Sequence, residues 1–379
     1  MNQKELNEIR RRFKPDRTAI SKVYGCYVSS ARQIISYIDA PMGLMSQEEQ
    51  EMFLNLLKKS LSGALGRNLI DIVFSTAQVA DSDEHRLLQT LRQTALQDPN
   101  AREILYRRII DSIDMGDSSY LILLAADAYD VPRRGSDDQV LADGSDTVFK
   151  YFVCSICPVK DPTLALRYSD ELSEFHSCST GHIASPPELG FLFPAFDDRA
   201  ANIYSALYYT RDTADMHDDF VSAVFNTDSP MPAAEQKETF QAILQESLQE
   251  ECSLDVVQTV HETISGMLEE RKADKTAEPL TLSAPEVKKV LEECGVSEAK
   301  AAAFEEHYTA TFGEKAELPA VNMVSNKFKV STPAVNIQVD PEHAGLIETR
   351  MIDGRRYIVI LADGDVEVNG VKVYEAPEK

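Results

Sequence analysis

The cysteine and histidine residues in the middle of the chain have a spacing that could bind a metal ion. Cys154 and Cys157 form a Cys-x2-Cys pair, with which two thiolates can hold one zinc ion. A tetrahedral site needs two more ligands, and His176, Cys178 and His182 follow in the next polar segment. A single pair of this kind is a weak signal, because free cysteine is among the most often buried residue types. Two interpretations stay open, a zinc-stabilised module and buried structural thiols, and the second is favoured.

Four aspartates follow apolar runs and could carry a different chemistry. Asp127 and Asp130 follow one run, and Asp197 and Asp198 follow another. Carboxylates at the ends of adjacent strands hold Mg²⁺ or Mn²⁺ in many hydrolases, and Lys160 could neutralise a phosphate. These residues would make a metal-dependent hydrolase of a phosphoester or nucleic acid. The favoured alternative is that they are turn residues and the N-cap of a helix that begins after Asp198.

Aromatic residues surround the second aspartate pair. Phe191, Phe193 and Phe196 precede Arg199 in a run rich in aromatics and proline. A cleft between these rings and the guanidinium would bind a protein or an anionic ligand. The chain contains neither a GxSxG nor an HExxH motif, and no motif identifies a cofactor. The leading hypothesis is therefore a non-catalytic binding or interaction protein, with the question of enzymatic activity left open.

Charge and composition limit the partners. The chain has 379 residues and a formal net charge of −24. Such a charge repels nucleic acids and anionic membranes. No apolar run approaches the roughly 20 residues of a membrane span. The polar start without a signal peptide and the sparse cysteines, six in all, predict a reduced cytoplasmic protein.

The charge is unevenly distributed along the chain. Residues 1–35 carry a net charge of +5, and residues 231–318 carry −11. The favoured explanation is a solvated helical face together with a basic segment that docks on the acidic body. The alternative is that the basic segment binds an anionic partner.

The helices and strands that would position these residues are predicted from the spacing of apolar residues and from helix-capping sequences. Helices are predicted near residues 2–13, after the capping box Ser46–Glu49, and over 81–96 and 100–113. The continuous apolar run Tyr120–Ala126 predicts a strand buried on both faces, with a buried helix as the alternative. The runs Val148–Val153 and Gly190–Phe196 predict a second and a third strand. The pattern after Ala200 predicts a helix.

The second half of the chain is predicted to be helical and then β-structured. Helices are predicted up to about residue 318. After that, apolar residues recur at every second position, which is typical of strands, and tight turns are predicted at Asp353-Gly354, Asp363-Gly364 and Asn369-Gly370. The predicted fold is α+β, with a central mixed sheet and a small C-terminal antiparallel sheet. Four parts are expected: a helical region over 1–115, a central core over 116–225, an acidic helical segment over 226–318 and a β domain over 319–379.

Several runs together resemble one known family. They are Arg10-Arg-Arg-Phe-Lys-Pro15, Gly25-Cys-Tyr-Val28, Leu61-Ser-Gly-Ala-Leu-Gly66, Ala128-Tyr-Asp-Val-Pro132, Ile156-Cys-Pro-Val159, Gly190-Phe-Leu-Phe-Pro-Ala-Phe-Asp-Asp-Arg199 and Ile352-Asp-Gly-Arg355. The chain is similar over nearly its whole length to an uncharacterised family of Firmicutes proteins, domain of unknown function family 4317. The resemblance implies a bacterial, cytosolic protein, and it implies no activity, cofactor or partner. Cys157 lies inside a family-like run, whereas Cys154, Cys178 and His182 do not, which weakens the zinc hypothesis.

Overall fold

Strands from both ends of the first 210 residues meet in one sheet. The computed structural model describes residues 1–132, 147–274, 277–314, 316–325, 327–362, 366–368 and 371–373. The chain divides into two compact units, Met1–Ala234 with Lys275–Pro279 and Glu235–Asp274 with Leu280–Lys379. No helix in the described ranges is long and apolar enough to cross a membrane.

The helices of the first unit begin at recognisable caps. The capping boxes at Asn2 and Ser46 each pair the cap side chain with a glutamate three residues later, and Asp98 with Pro99 starts another helix. The helices are α1 (Gln3–Arg10), α2 (Gln47–Lys59), α3 (Thr76–Asp81), α4 (Asp83–Gln93), α5 (Pro99–Ser112) and α6 (Asp218–Phe225), with a 3₁₀ turn at Met42–Leu44.

The strands of this unit form one large sheet and two hairpins. They are β1 (Lys22–Val28), β2 (Ile34–Pro41), β3 (Leu69–Val73), β4 (Ser119–Val131), β5 (Thr147–Lys160), β6 (Leu164–Ser169), β7 (Glu174–Ser179), β8 (Ile183–Ala184), β9 (Leu189–Phe193), β10 (Ala195–Asp197), β11 (Ala200–Asn202) and β12 (Ser205–Thr210). The order in the large sheet is β2-β1-β4-β5-β9-β12-β3, with β8 beside β5. Each of its described pairings is antiparallel.

The sheet is covered by helices on both faces. One face packs Phe152 and Phe191 against α4, α5 and α6. The other packs Phe149 and Leu192 against Leu6 of α1 and against α2. Because β4 and β5 are buried on both sides, their sequences are apolar at successive positions rather than at alternate ones.

The predicted α+β fold is confirmed, and so are the strands predicted at 120–126 and 148–153. The helix predicted after Ala200 is wrong, because that segment forms β11 and β12. All six residues of β12 are buried, so the strand has no alternation for the sequence to display. The strands β1 to β3 lie within the first 115 residues and belong to the central sheet. The four-part domain division stays a prediction.

The second unit has a helical core with β-hairpins after it. Its helices are α7 (Ala233–Leu248, which starts at the unit boundary), α8 (Leu254–Ala273), α9 (Ala284–Glu293), α10 (Glu298–Phe312) and α11 (Ala320–Met323), with 3₁₀ turns at Gln249–Glu251 and Pro341–Leu346. They pack around Phe240, Ile264, Val287 and Phe304. The helical content predicted for this region is confirmed.

The described strands of the second unit are short and pair in two-stranded antiparallel sheets. Its strands are β13 (Thr281–Ser283), β14 (Glu317–Pro319), β15 (Phe328–Ser331), β16 (Asn336–Val339), β17 (Ile347–Ile352), β18 (Arg355–Ile360), β19 (Val366–Val368) and β20 (Val371–Val373). The predicted turn at Asp353-Gly354 joins β17 to β18, and both residues have positive φ, 48° and 74°. The turns predicted at Asp363-Gly364 and Asn369-Gly370 lie outside the described residues.

Candidate functional site

Asp127 lies at the centre of a buried polar cluster beside α1. Its side chain is 1% exposed, and Nε and Nη2 of Arg12 each donate to one of its oxygens over 3.1 Å. The hydroxyl of Tyr151 and the backbone N–H of Ala19 donate over 2.9 and 2.8 Å. The backbone N–H of Ala128 also reaches it, over 3.0 Å. These five donors occupy the carboxylate from all sides.

The side chains of this cluster favour the charged form of Arg12 and the neutral form of Tyr151. Burial lowers the pKa of Arg12, but the hydrogen bond and charge of Asp127 outweigh burial and leave that pKa raised. Burial, and then Asp127, raise the pKa of Tyr151 well above its usual value, so the hydroxyl stays a neutral donor. A carboxylate that is paired in this way holds neighbouring segments together, and it has no lone pair directed at an open site.

Arg199 belongs to a neighbouring cluster that also involves α1. Together with Asp198 it forms the two-residue turn between β10 and β11, with φ of 47° and 56°. Its Nη1 donates to Glu8 over 2.8 Å, and its backbone N–H donates to Glu5 over 3.0 Å. The hydroxyl of Tyr129 donates to the same Glu8. The Arg199 guanidinium therefore has its hydrogen-bond acceptors within the protein, and the Arg199 side chain is 28% exposed.

The other predicted catalytic residues do not converge on Asp127. Asp130 is exposed, and it is three positions from Asp127 on β4, so the two side chains lie on opposite faces. Lys160 lies nine residues beyond Tyr151, the partner of Asp127 in the sheet, which is about 30 Å along β5. Asp197 accepts a hydrogen bond from Asn202. In the described part of the chain, no group of three or more His, Cys, Asp or Glu side chains is placed to hold a metal ion.

Cys154 and Cys157 point away from each other. Both are buried in β5, and residues three apart in a strand lie on opposite faces. Burial raises the pKa of Cys157 to about 12 and that of Cys154 well above its usual value, so both thiols are protonated. His176 is half-buried in β7, and Nδ1 of His182 lies 3.4 Å from the hydroxyl of Tyr27. The four residues predicted as zinc ligands are therefore not brought together.

The three predicted binding phenylalanines form part of the core. Phe191, Phe193 and Phe196 are all 0% exposed. The first two pack on the face covered by α4 to α6, and Phe196 packs on the face covered by α1 and α2. They support the sheet and line no cleft beside Arg199. The density of aromatics that suggested a binding site reflects a strand buried on both sides.

An exposed apolar surface lies elsewhere, on the hairpin of β6 and β7, residues 164–179, here called the apolar arm. Five of its large side chains are exposed: Leu164 by 81%, Leu166 by 75%, Tyr168 by 47%, Leu172 by 64% and Phe175 by 68%. Tyr168 pairs with Phe175 across the hairpin, with ring centroids 5.3 Å apart. Because strand residues alternate between faces, four of the five share one face, and Leu172 lies in the turn.

This surface was not predicted from the sequence, although the sequence contains a signal for it. Leu164, Leu166 and Tyr168 alternate with smaller or charged residues, which is the pattern of a strand with one apolar face. Contiguous exposed apolar patches of this kind mark sites of interaction. The arm is therefore the candidate functional surface of the first unit.

Comparison with known families identifies a relationship over almost the whole chain. The family described as "Domain of unknown function (DUF4317)" matches residues 1–371, so the chain belongs to that family. A comparison with curated proteins finds no match. The family resemblance expected from the sequence is confirmed, and its description states no activity.

Proposed function

We propose, taking membership of the DUF4317 family as the starting point, that this chain is a non-catalytic cytoplasmic protein that acts by binding a protein through its apolar arm. The observation that carries the proposal is the contrast between two groups of side chains. Asp127 and Arg199 are engaged by contacts within the fold, whereas Leu164, Leu166 and Phe175 have a face turned to solvent. The six cysteines are all free thiols, which suits a reducing compartment.

The apolar arm is a sheet of only two strands. A two-stranded hairpin is marginally stable on its own in water, and a third layer or further strands are needed to support it. Burying its apolar face against a partner would supply that support, at roughly 25 cal/mol for each Å² removed from water. Protein surfaces offer the apolar side chains that such a contact needs.

The test uses a photo-crosslinking amino acid at position 166 of the full chain in cells. The matched control carries the same group at Met52, which is 69% exposed on α2 in the same unit. We expect position 166 to give a discrete cross-linked protein product that the substitution Phe175→Ser removes, and position 52 to give none. Equal labelling from both positions, or no product from either, would overturn the proposal.

A second measurement addresses catalysis directly. Purified protein is tested for thermal stabilisation by Mg²⁺, Mn²⁺, Zn²⁺ and nucleotides, with Asp127→Asn and Asp197→Asn as variants. We expect no stabilisation of the unaltered chain. A shift produced by a metal ion and lost in both variants would instead support the metal-dependent hydrolase that the aspartates Asp127, Asp130, Asp197 and Asp198 suggest.

A further inference from the structure

We propose that a polar cleft in the first unit binds a small dicarboxylate, a role that goes beyond the protein contact assigned to the apolar arm. The cleft has a volume of about 690 Å³, and small-molecule sites measure roughly 300–1,000 Å³. One wall is the segment 13–16, which follows α1. The other wall is the solvent side of α2 over residues 47–58, where the lining residues are spaced so that they share one helix face.

Hydrogen-bond donors in the cleft are left for a ligand. Lys14 is exposed and Lys58 is half-buried, and neither ammonium group forms an ion pair or a hydrogen bond with a described residue. The side-chain amide of Asn55 likewise forms no hydrogen bond within the part of the chain that the structure describes. Because Lys14 and Lys58 belong to different walls, a molecule in the cleft would lie between two positive charges.

The carboxylates of the cleft, by contrast, already have donors. Glu51 accepts a hydrogen bond from Nε2 of Gln47 over 3.1 Å. One oxygen of Asp16 lies 3.6 Å from Nε of Arg17, and Arg17 is not part of the lining. The charged groups of the cleft that have no internal partner are therefore both cationic, and the ligand that matches them brings anionic oxygens.

The number and kind of charges favour a dicarboxylate over a polyphosphate. The described lining carries two ammonium groups and two carboxylates, so it is neutral overall. A dicarboxylate can place one charge beside each lysine, whereas a nucleoside triphosphate brings several charges close to Asp16 and Glu51. The described lining also contains no arginine and no glycine, which supply the forked donors and the close backbone approach of many phosphate sites. Half-buried Pro15 adds apolar surface for a short carbon chain.

The experiment is isothermal titration calorimetry on the purified full chain with succinate and glutarate as probes. Succinamide, which has the same carbon chain without the charges, and ATP are the comparison ligands. We expect a dissociation constant of about 1 mM or lower for at least one dicarboxylate, and no binding of succinamide or ATP. Because the contacts are ionic and open to solvent, the affinity should fall by about fivefold between about 0.05 M and about 0.5 M NaCl.

A matched pair of variants assigns the binding to the cleft. Lys58→Gln should weaken it by about fivefold or more, because one of the two charge-assisted contacts is lost. Lys59→Gln is the control, since Lys59 lies in the same last turn of α2 and is not part of the lining. Circular dichroism confirms that both variants fold. No binding of either dicarboxylate, equal binding of succinamide or ATP, or equal weakening by the two substitutions would overturn the proposal, whatever the crosslinking from position 166 shows.

Discussion

Arg12 and Asp127 are 115 positions apart in the sequence and form a two-point ion pair, with both nitrogen–oxygen distances at 3.1 Å. The pair connects the segment after α1 to the central strand β4. Removing one partner of a buried ion pair leaves the other charge without compensation, which costs about 3–5 kcal/mol. Because Arg12 is 19% exposed, the lower end of that range applies.

The first prediction is that Arg12→Ala lowers the free energy of unfolding by about 3 kcal/mol in urea titrations. Arg11→Ala is the matched control, since Arg11 is exposed, and it should change stability by less than about 0.5 kcal/mol. Equal effects of the two substitutions would contradict a stabilising role for the Arg12–Asp127 pair.

The second prediction concerns Gly190, which packs where β9 meets β5 and α2. A Cβ atom there would lie 2.5 Å from the carbonyl oxygen of Cys154 and 2.6 Å from Oγ of Ser60, which itself bonds Ser155. Gly190→Ala should therefore destabilise the chain by about 3 kcal/mol, measured by thermal or urea unfolding. Gly43→Ala is the control, because nothing lies within 4 Å of its Cβ position. Similar stability of both variants would show that the strand contact can relax.

The third prediction is that no more than three of the six thiols react with a disulfide reagent in the native protein. Cys26, Cys154 and Cys157 are buried, whereas the other three are half-exposed. Burial raises the pKa of Cys26 and of Cys157 to about 12, which also removes the reactive thiolate. Six should react in denaturant. A fourth thiol that reacts in the native state, identified by mass spectrometry at position 154 or 157, would contradict the packing of β5.

The fourth prediction is a loss of stability in the second unit at mildly acidic pH, and it depends on His261. Burial lowers the pKa of His261 below 6.5, and Lys237 lowers it further, while the contact with the carbonyl of Ser325 and the charge of Glu262 act in the opposite direction. A folded-state pKa below the unfolded value means that protonation favours unfolding. The stabilisation is complete above about pH 6.5 and is lost as pH falls below it.

Urea unfolding of the full chain between pH 7.5 and pH 5 would measure this dependence. The variant His261→Gln keeps a side-chain donor for Ser325 and has no titrating ring, so it should flatten the pH dependence. An unaltered slope in the His261 variant would assign the effect to other groups.

The sequence predicted the elements whose signals are local. The capping box at Ser46 and the apolar run of β4 each determine an element by themselves, and both were found. The strand β3 was missed because its partner in the sheet, β12, lies far away in the chain, and β2 was missed because none of its residues is fully buried. The strand β12 was predicted as helix because a segment buried on both faces has no period.

The candidate site was less predictable, for a physical reason. Asp127, Cys154 and Phe191 attracted attention by residue type, but their chemistry depends on partners that only the fold supplies. Asp127 gains five donors, and Cys154 is separated from Cys157 by the pleat of the strand. The exposed stripe of the apolar arm has a local signal in Leu164, Leu166 and Tyr168, so it could have been found.

The position of β3 has a consequence for synthesis on the ribosome. This strand, Leu69–Val73, is made early, yet its neighbour in the sheet is β12, Ser205–Thr210. A nascent chain halted before residue 205 would contain β3 without its hydrogen-bonding neighbour, even if its helices had already folded. Closing this edge of the sheet must therefore wait until just over half of the 379 residues have been made, and chains interrupted before that point are the ones most in need of a chaperone.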